Sequence, residues 1–418
     1  MSSELAVLAD VLRESAALRS RRWVGAHVRR EPVARLHTRA GIADPYPVYA
    51  RVRAAGPFLR HSSGDRVTAH HGLCEQVLRS RDFGVRPPGD AAPAGPTAGF
   101  DLGMLDRDPP EHTRLRRLVA PAFSARRIEA HRPLVEGAAA RLLDGIGTST
   151  RFDLVARYAS PLPVTVITAL LGVDSAEAAD LARHGAAVST ALDGIRGLRH
   201  LLALQRASAE LLGMFERLID ERRRKPGTDV ISALVAAEGE GRLTGYELLV
   251  TCNLLLVAGF ETTVNLIGNA VTALLDHPDQ WAALRDDPSL AAAAVEETLR
   301  YDPPVQSTYR IAHVPVELAG ERFAAGDGVM LLIGGAARDP AAYPDPDRFD
   351  LHRRPDVSHL AFSAGLHYCL GAALARLEAE VGLRQLVERL PRLGRAGRGR
   401  MRPASTIRGY ATLPVRAG

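Results

Sequence analysis

Phe362-Ser-Ala-Gly365-Leu-His367-Tyr-Cys369-Leu-Gly371 runs directly into Ala372-Ala-Leu-Ala-Arg376, a glycine-bearing loop that opens a helix with one cysteine at the junction. A sulfur at that junction sits near unpaired backbone N–H groups and the positive end of the helix dipole. Both favour the thiolate, the form of cysteine that attacks carbon or ligates a metal. Gly365 lets the loop turn, and Gly371 leaves room for something flat and large to approach the backbone. A free cysteine is also a common buried core residue. The stretch alone leaves three readings open: an inert core thiol, a nucleophile or a metal ligand.

The bulk properties narrow the field. The chain has 418 residues, 46% hydrophobic and 24% charged, with a formal net charge of +5. These are the values of an ordinary globular protein. Lys225 is the only lysine, so the basic residues are almost all arginine. With abundant Ala, Gly and Pro, this reflects GC-rich coding rather than a nucleic-acid surface. A nucleic-acid binder needs a clustered basic run with interleaved aromatics, and Arg222-Arg-Arg-Lys225 before Pro226-Gly227 is a solvated helix end. Cys74, Cys252 and Cys369 give neither a disulfide framework nor a CxxC site. The opening 40 residues mix Glu4, Asp10, Glu14 and many arginines into the apolar positions, unlike a secretory signal. The longest apolar run, 248–260, is broken by Thr251, Cys252 and Asn253 and is too short for a membrane span. The expectation is a soluble cytoplasmic protein with no nucleic-acid or membrane partner.

Residues 1–43 read as an irregular helical lead-in of unknown role. Asp44-Pro-Tyr-Pro begins the ordered body, and 58–61 with 66–69 form a small hairpin about Ser62-Ser-Gly-Asp65. Residues 84–103 are rich in Pro, Gly and Ala; so long a loop in a compact chain is usually functional or disordered. Helical periodicity marks 133–146, 163–171, 175–189, 201–223 and 229–237. Thr244-Gly-Tyr-Glu247 is a capping-box signal, and its helix can run to Asp276, roughly 48 Å at 1.5 Å per residue. A helix of that length must cross the molecule. Another covers 289–301, short strands follow near 316–318, 321–323 and 329–333, and 406–415 is strand-like. No repeat or linker divides the pattern. The fold class is mainly α with a small β region, α+β.

The central helix carries Ala258-Gly259-Phe260-Glu261-Thr262-Thr263. Leu254, Val257, Ala258, Glu261 and Thr262 share one face at helical period. A carboxyl in an apolar helix costs several kcal/mol without a partner or a task. Gly259 weakens the helix by about 1 kcal/mol relative to Ala, and a threonine hydroxyl can loosen the preceding turn. Together they predict an interruption that widens the helix around a small ligand. The competing reading is a kinked core helix with Glu261 reaching an arginine. Glu297-Thr-Leu-Arg300 places an acid and a base on one helix face, and Arg348 follows in an irregular loop.

These motifs, in this order, resemble the cytochrome P-450 monooxygenases of the bacterial type, from about Asp44 to the end. The cysteine stretch matches the family pattern Phe-x-x-Gly-x-His-x-Cys-x-Gly at every fixed position, and the Ala-Gly-x-Glu-Thr and Glu-x-x-Arg motifs match as well. The resemblance implies one catalytic domain over 44–418, with a b-type haem between the central helix and the cysteine loop. It makes Cys369 the axial thiolate, which favours O–O cleavage when dioxygen is activated. Phe362 packs beside the sulfur, while Gly365, Gly371, Ala258 and Gly259 line the haem. His112, Arg116, Arg310, His359 and His367 are the implied partners of its propionates. Glu261 and Thr262 become the acid–alcohol pair that delivers protons, and Glu297, Arg300 and Arg348 a buried structural ion network.

By the same resemblance, Phe100, Leu102, Leu192, Leu254, Val257, Ala258, Val305, Gln306 and Tyr410 line a mostly apolar pocket for a small lipophilic substrate. Secondary metabolism is the expected setting and hydroxylation the default outcome. NAD(P)H electrons arrive through an external ferredoxin reductase and ferredoxin, for which Arg114, Arg117 and Arg376 form a basic docking face. The alternative is a catalytically silent recruitment or activator protein on the same fold, which typically loses the cysteine or the acid–alcohol pair. Two features depart from the family: the lead-in before Asp44, and Ser363 where glycine is common.

Overall fold

The structure, a computed structural model, describes residues 23–89, 101–146, 151–193 and 197–418, with 17, 20, 21 and 195 besides. The helix Gly245–Asp276 forms its axis. The capping box closes as the sequence predicts: Glu247 N–H donates to Thr244 Oγ1 at 3.2 Å, and Thr244 N–H donates to the Glu247 carboxylate at 2.9 Å. Leu248, Leu255, Leu256, Val264, Ile267 and Val271 are all buried, so the helix is apolar nearly all round, as a helix through a core must be. Against it pack Pro161–Leu171, Ser175–Ser189, Leu198–Arg224, Ala291–Tyr301 and Ala372–Arg389, the helix that follows the cysteine. Among the described residues it is the one single helix long and apolar enough to cross a membrane, and 78% of that window is buried inside the protein.

The β region is built from both ends of the chain. Strands β1 (Leu59–Arg60), β2 (Arg66–Thr68), β3 (Phe83–Gly84), β5 (Thr308–Ala312) and β8 (Gly328–Leu331) form a sheet in the order β1-β2-β8-β5-β3. The β1–β2 hairpin is antiparallel, with Leu59 opposite Val67. β2 runs parallel to β8, Arg66 opposite Val329, a pairing that needs a long crossover; here most of the helical body supplies it. β4 (Arg151–Asp153), β9 (Gly394–Arg395) and β12 (Pro414–Arg416) make a second sheet, and β6 (Val316–Leu318) pairs with β7 (Glu321–Phe323). The tail hairpin, β10 (Arg400–Met401) and β11 (Tyr410–Thr412), folds back towards the central helix.

The described part of the lead-in is attached to the body. Val33 and Leu36 are buried with Val48, Tyr49 and Val52 in one apolar cluster, and Arg408 Nη1 donates to the Ile42 carbonyl at 2.6 Å.

Candidate active site

Gly365 adopts φ +65°, and a Cβ there would lie 2.5 Å from the Leu78 carbonyl oxygen, so the turn requires glycine. Ser363 also takes a left-handed φ, 62°, where the family's usual glycine would sit without strain. The loop is fixed at its far end by Cys369 N–H donating to the Phe362 carbonyl at 2.8 Å. Phe362 is buried in the main core cluster, against which Cys369 packs. Gly371 caps the following helix, and a Cβ on it would meet nothing within 4 Å.

The electrostatics at Cys369 differ from the sequence expectation. Burial pushes its thiol pKa up, and this outweighs the Gly371 N–H and the Arg116 and Arg376 guanidinium groups, all of which favour the thiolate. The loop therefore holds a protonated thiol until something else takes the proton. A bound metal does so outright, whereas a free nucleophile would need an activating base.

The central helix is buried along most of its length but leaves Ala258 exposed, with Val257 and Thr262 half-buried. This is the open stretch of its face. The helix is continuous through it, so the interruption expected at Gly259 does not occur. Gly259 is absorbed by packing: a Cβ there would lie 2.8 Å from Ile167 Cδ1 on the neighbouring helix. The missing side chain allows two helices to approach. Thr262 Oγ1 donates to the Ala258 carbonyl at 3.2 Å, keeping the hydroxyl on the open face. Glu261 is buried and accepts from Ser189 Oγ at the end of Ser175–Ser189 and from Arg402 of the tail hairpin. The acid thus has the arginine of the competing reading as well as the place beside the alcohol.

A cationic cluster lies beside the cysteine loop. His112 is buried, and among the described residues its Nδ1 has no hydrogen-bond partner; its ring lies 4.3 Å from that of His367, whose Nε2 has no hydrogen bond and only a long ion pair to Asp108. Burial, then His367 and Arg116, press the His112 pKa down to about 4. Arg116 Nη2 donates to the Tyr368 carbonyl at 2.7 Å. Arg310 is buried and bonds Thr308 Oγ1 (3.0 Å) and the Tyr309 carbonyl (2.8 Å); burial lowers its pKa to about 10. Behind them, sequence reasoning missed Asp108, which accepts from the Val85 and Arg86 N–H groups and lies 3.5 Å from His313 and 3.8 Å from His367. Its position in Asp108-Pro-Pro-Glu-His112 was the available signal.

His359 does not join this cluster. Its Nε2 lies 3.2 Å from Glu296, and its Nδ1 accepts from Ala361 N–H at 3.3 Å, so both ring nitrogens are engaged. His359 and Arg376 hold the Glu296 carboxyl down to about 2 despite burial. The ion network is corrected too. Arg300 forks onto Glu297 at 2.7 and 2.8 Å, and the third charged side chain is Arg353, 3.2 Å from Glu297. Arg348 is exposed and contributes only its carbonyl, which accepts from Arg300 at 3.0 Å and Arg353 at 2.8 Å.

Of the proposed pocket residues, Leu254 and Val257 lie on the helix face, and Gly103 sits close over Val250 and Leu254. Leu102 is half-buried beside it. Phe100 and the Leu192 side chain lie outside the described residues. Val305 bridges to Ile407 of the tail hairpin, a residue the sequence reading did not single out. Gln306 is not free to meet a substrate: its Nε2 donates to the Pro303 carbonyl (2.7 Å) and its Oε1 accepts from Tyr49 OH (2.8 Å). Tyr410 packs over Gly268 and Gly399, about two turns beyond Thr262 on the central helix. The basic face also shrinks. Arg114 pairs with Glu247 and Arg376 with Glu296, while Arg117 stays exposed.

This set fits a flat, dianionic, metal-bearing cofactor. Gly371 is open, Ala258 is exposed, and among the described residues the His112 Nδ1 and His367 Nε2 atoms have no hydrogen-bond partner and Arg310 is a buried cation with no carboxylate in contact.

A sequence model described as Cytochrome P450 matches residues 198–391. The chain is 44% identical over 387 residues to "Cytochrome P450 monooxygenase PikC" of Streptomyces venezuelae, covering 90% of this chain and 91% of that protein. The fold superposes on the crystal structure of P450BioI in complex with hexadec-9Z-enoic acid ligated acyl carrier protein (TM-score 0.84, 34% identity, 90% of this chain and 99% of that one). It also superposes on the cytochrome P450 PksS of the Bacillus subtilis 168 bacillaene polyketide synthase (TM-score 0.83, 32% identity, 91% and 99%).

Proposed function

The chain belongs to the cytochrome P-450 family of haem-thiolate monooxygenases, and from that premise we propose that it hydroxylates a small lipophilic substrate of bacterial secondary metabolism, using electrons from an external ferredoxin. The observation that carries the reading is the open face of the central helix, where Ala258 and the Thr262 hydroxyl stand beside the buried acid Glu261. When bound, the haem of this family would supply dioxygen activation and the transfer of one oxygen atom.

The chain's own residues do the rest. Cys369 would ligate the haem iron through its sulfur, steadied by the Gly371 N–H. Arg310, Arg116, His112 and His367 supply the donors for two propionates. Thr262 Oγ holds a water on the open face, and Glu261 hands protons to it from the buried side. The small Ala258 side chain leaves space for the cofactor, while Leu254 and Val257 present an apolar wall that keeps loose water out. Glu297, Arg300 and Arg353 hold the loop behind the cysteine and take no part in chemistry.

NAD(P)H electrons enter through a ferredoxin reductase and an acidic ferredoxin that docks by Arg117 and the exposed rim at Leu366 and Tyr368. The protein works in the cytoplasm, without nucleic-acid or membrane partners. Naming of PksS after a polyketide synthase supports the metabolic setting. Retention of Glu261, Thr262 and Cys369 supports an enzyme over a silent recruitment protein. The test is Thr262→Ala: haem content stays at the wild-type level, while product formed per NAD(P)H consumed falls. Equal coupling in mutant and wild type refutes the role of the hydroxyl.

A further inference from the structure

The central helix continues for four turns beyond Glu261 through the core, and its polar side chains there are not scattered. Asn265 and Asn269 are each 1% exposed, and Thr272 is half-buried. Glu261, Asn265, Asn269, Thr272 and Asp276 are spaced 4, 4, 3 and 4, within an arc of about 80° at 3.6 residues per turn. Glu261, Asn265 and Asn269 are all buried, Thr272 is partly so, and Asp276 is exposed and paired with Arg395 at 2.6 Å.

Both side-chain heteroatoms of Asn265, the Oδ1 of Asn269 and the Oγ1 of Thr272 are buried with no protein hydrogen-bond partner among the described residues. Orphaned atoms of this kind are satisfied by internal water. Neighbours at i, i+4 stand about 6 Å apart, so waters linked to one another at about 2.8 Å can run past each side chain and use it as an anchor. The tail hairpin covers the row. Gly409 lies against Asn265, where a Cβ would fall 2.0 Å from Oδ1; Asn269 Nδ2 donates to the Asp302 carbonyl at 3.0 Å; and Arg402 of the same hairpin grips Glu261.

We propose that Asn265, Asn269 and Thr272 hold a file of ordered waters between the central helix and the tail hairpin, through which protons pass from solvent at Asp276 and Arg395 to Glu261. The file is about 22 Å long at 1.5 Å per residue. Each water accepts a proton from the water outside it and passes one inward, while the asparagine amides and the threonine hydroxyl orient the file without carrying the proton; one proton leaves solvent for each that reaches the carboxylate and no electron moves. These three are positioning residues: they touch neither substrate nor cofactor. The inference rests on the reading that Glu261 relays protons.

The test uses the holoenzyme, with a substrate chosen by its shift of the haem spin state. High-resolution X-ray or neutron diffraction is expected to show waters within hydrogen-bond distance of Asn265, Asn269 Oδ1 and Thr272 Oγ1; a dry row overturns the proposal. Thr272→Val keeps the shape and removes the hydroxyl, and Asn269→Leu removes the middle station. Each is expected to lower product per NAD(P)H by roughly two- to tenfold, the factor carried by one net hydrogen bond. Each also raises the solvent deuterium isotope effect, with haem content and spin shift unchanged. Because Asn269→Leu also removes a structural donor, Thr272→Val decides if the former fails to fold. Wild-type coupling and isotope effect in Thr272→Val, with Glu261→Gln impaired, refutes the file and leaves the relay standing. Wild-type behaviour in Glu261→Gln overturns both.

Discussion

Glu297→Leu is expected to destabilise the protein by about 3–5 kcal/mol, the cost of leaving a buried guanidinium without its counter-ion. The side chains of Arg300 and Glu297 are 2% and 4% exposed. Glu297 accepts two bonds from Arg300, one from Arg353 Nε at 3.2 Å and one from the Asp350 N–H at 3.0 Å. Arg300 keeps carbonyl acceptors at Pro346 (2.7 Å), Arg348 (3.0 Å) and Ala337 (3.2 Å), so it stays in place but uncompensated. The loss is a large share of the roughly 5–15 kcal/mol by which proteins are stable. The double substitution Glu297→Leu with Arg300→Met removes both charges and is expected to recover much of it. Arg353→Met loses about 1–3 kcal/mol, while Arg348→Ala stays within about 0.5 kcal/mol because that side chain lies in solvent. Urea unfolding followed by far-UV circular dichroism and Soret absorbance reads all four. A Glu297→Leu loss below 1 kcal/mol, or an Arg348→Ala loss exceeding that of Arg353→Met, refutes the reasoning.

Gly365→Ala must place a side chain at φ +65° and 2.5 Å from the Leu78 carbonyl. The left-handed conformation costs about 1–2 kcal/mol and the overlap about 1–3 kcal/mol more; a lower urea midpoint with partial loss of the thiolate-type carbon-monoxide spectrum is expected, and a wild-type midpoint refutes it. Glu378, on the helix that follows the cysteine, is fully buried with neither carboxyl oxygen hydrogen-bonded among the described residues, and burial pushes its carboxyl pKa well above the usual range, against the smaller opposing effect of Thr263. The folded state keeps this proton after the unfolded state has released it. Stability from this group is therefore complete below the unfolded value and falls as pH rises, by up to about 1.4 kcal/mol per pH unit until the folded value is passed. Glu378→Gln is expected to flatten the decline of stability between pH 5 and 8, measured by urea midpoints; an unchanged slope refutes it.

The sequence made the long elements legible because their signals are local. The capping box at Thr244 and Glu247 and the stop at His277-Pro278 bound the central helix with no tertiary information. The family resemblance likewise grouped His112, Arg116, Arg310 and His367. What failed to read was the identity of partners across space. Helical phase put Gly259 near the open face, but only the neighbouring helix reveals that Ile167 occupies its missing side chain. Arg348 and Arg353 are equally plausible in the chain, and the difference is that one offers its backbone and the other its guanidinium. His359 and Gln306 were assigned outward roles, yet Glu296 and Tyr49, 63 and 257 residues away, had already engaged them.

The central claim is that Cys369 is the axial thiolate of a haem that oxidises substrate. Reducing the purified holoenzyme and adding carbon monoxide tests it most directly. Wild type is expected to give the red-shifted Soret band of a thiolate-bound haem, and Cys369→Ser to lose that band while the polypeptide still folds. A wild-type protein without the band, or a Cys369→Ser protein that retains it, contradicts the account.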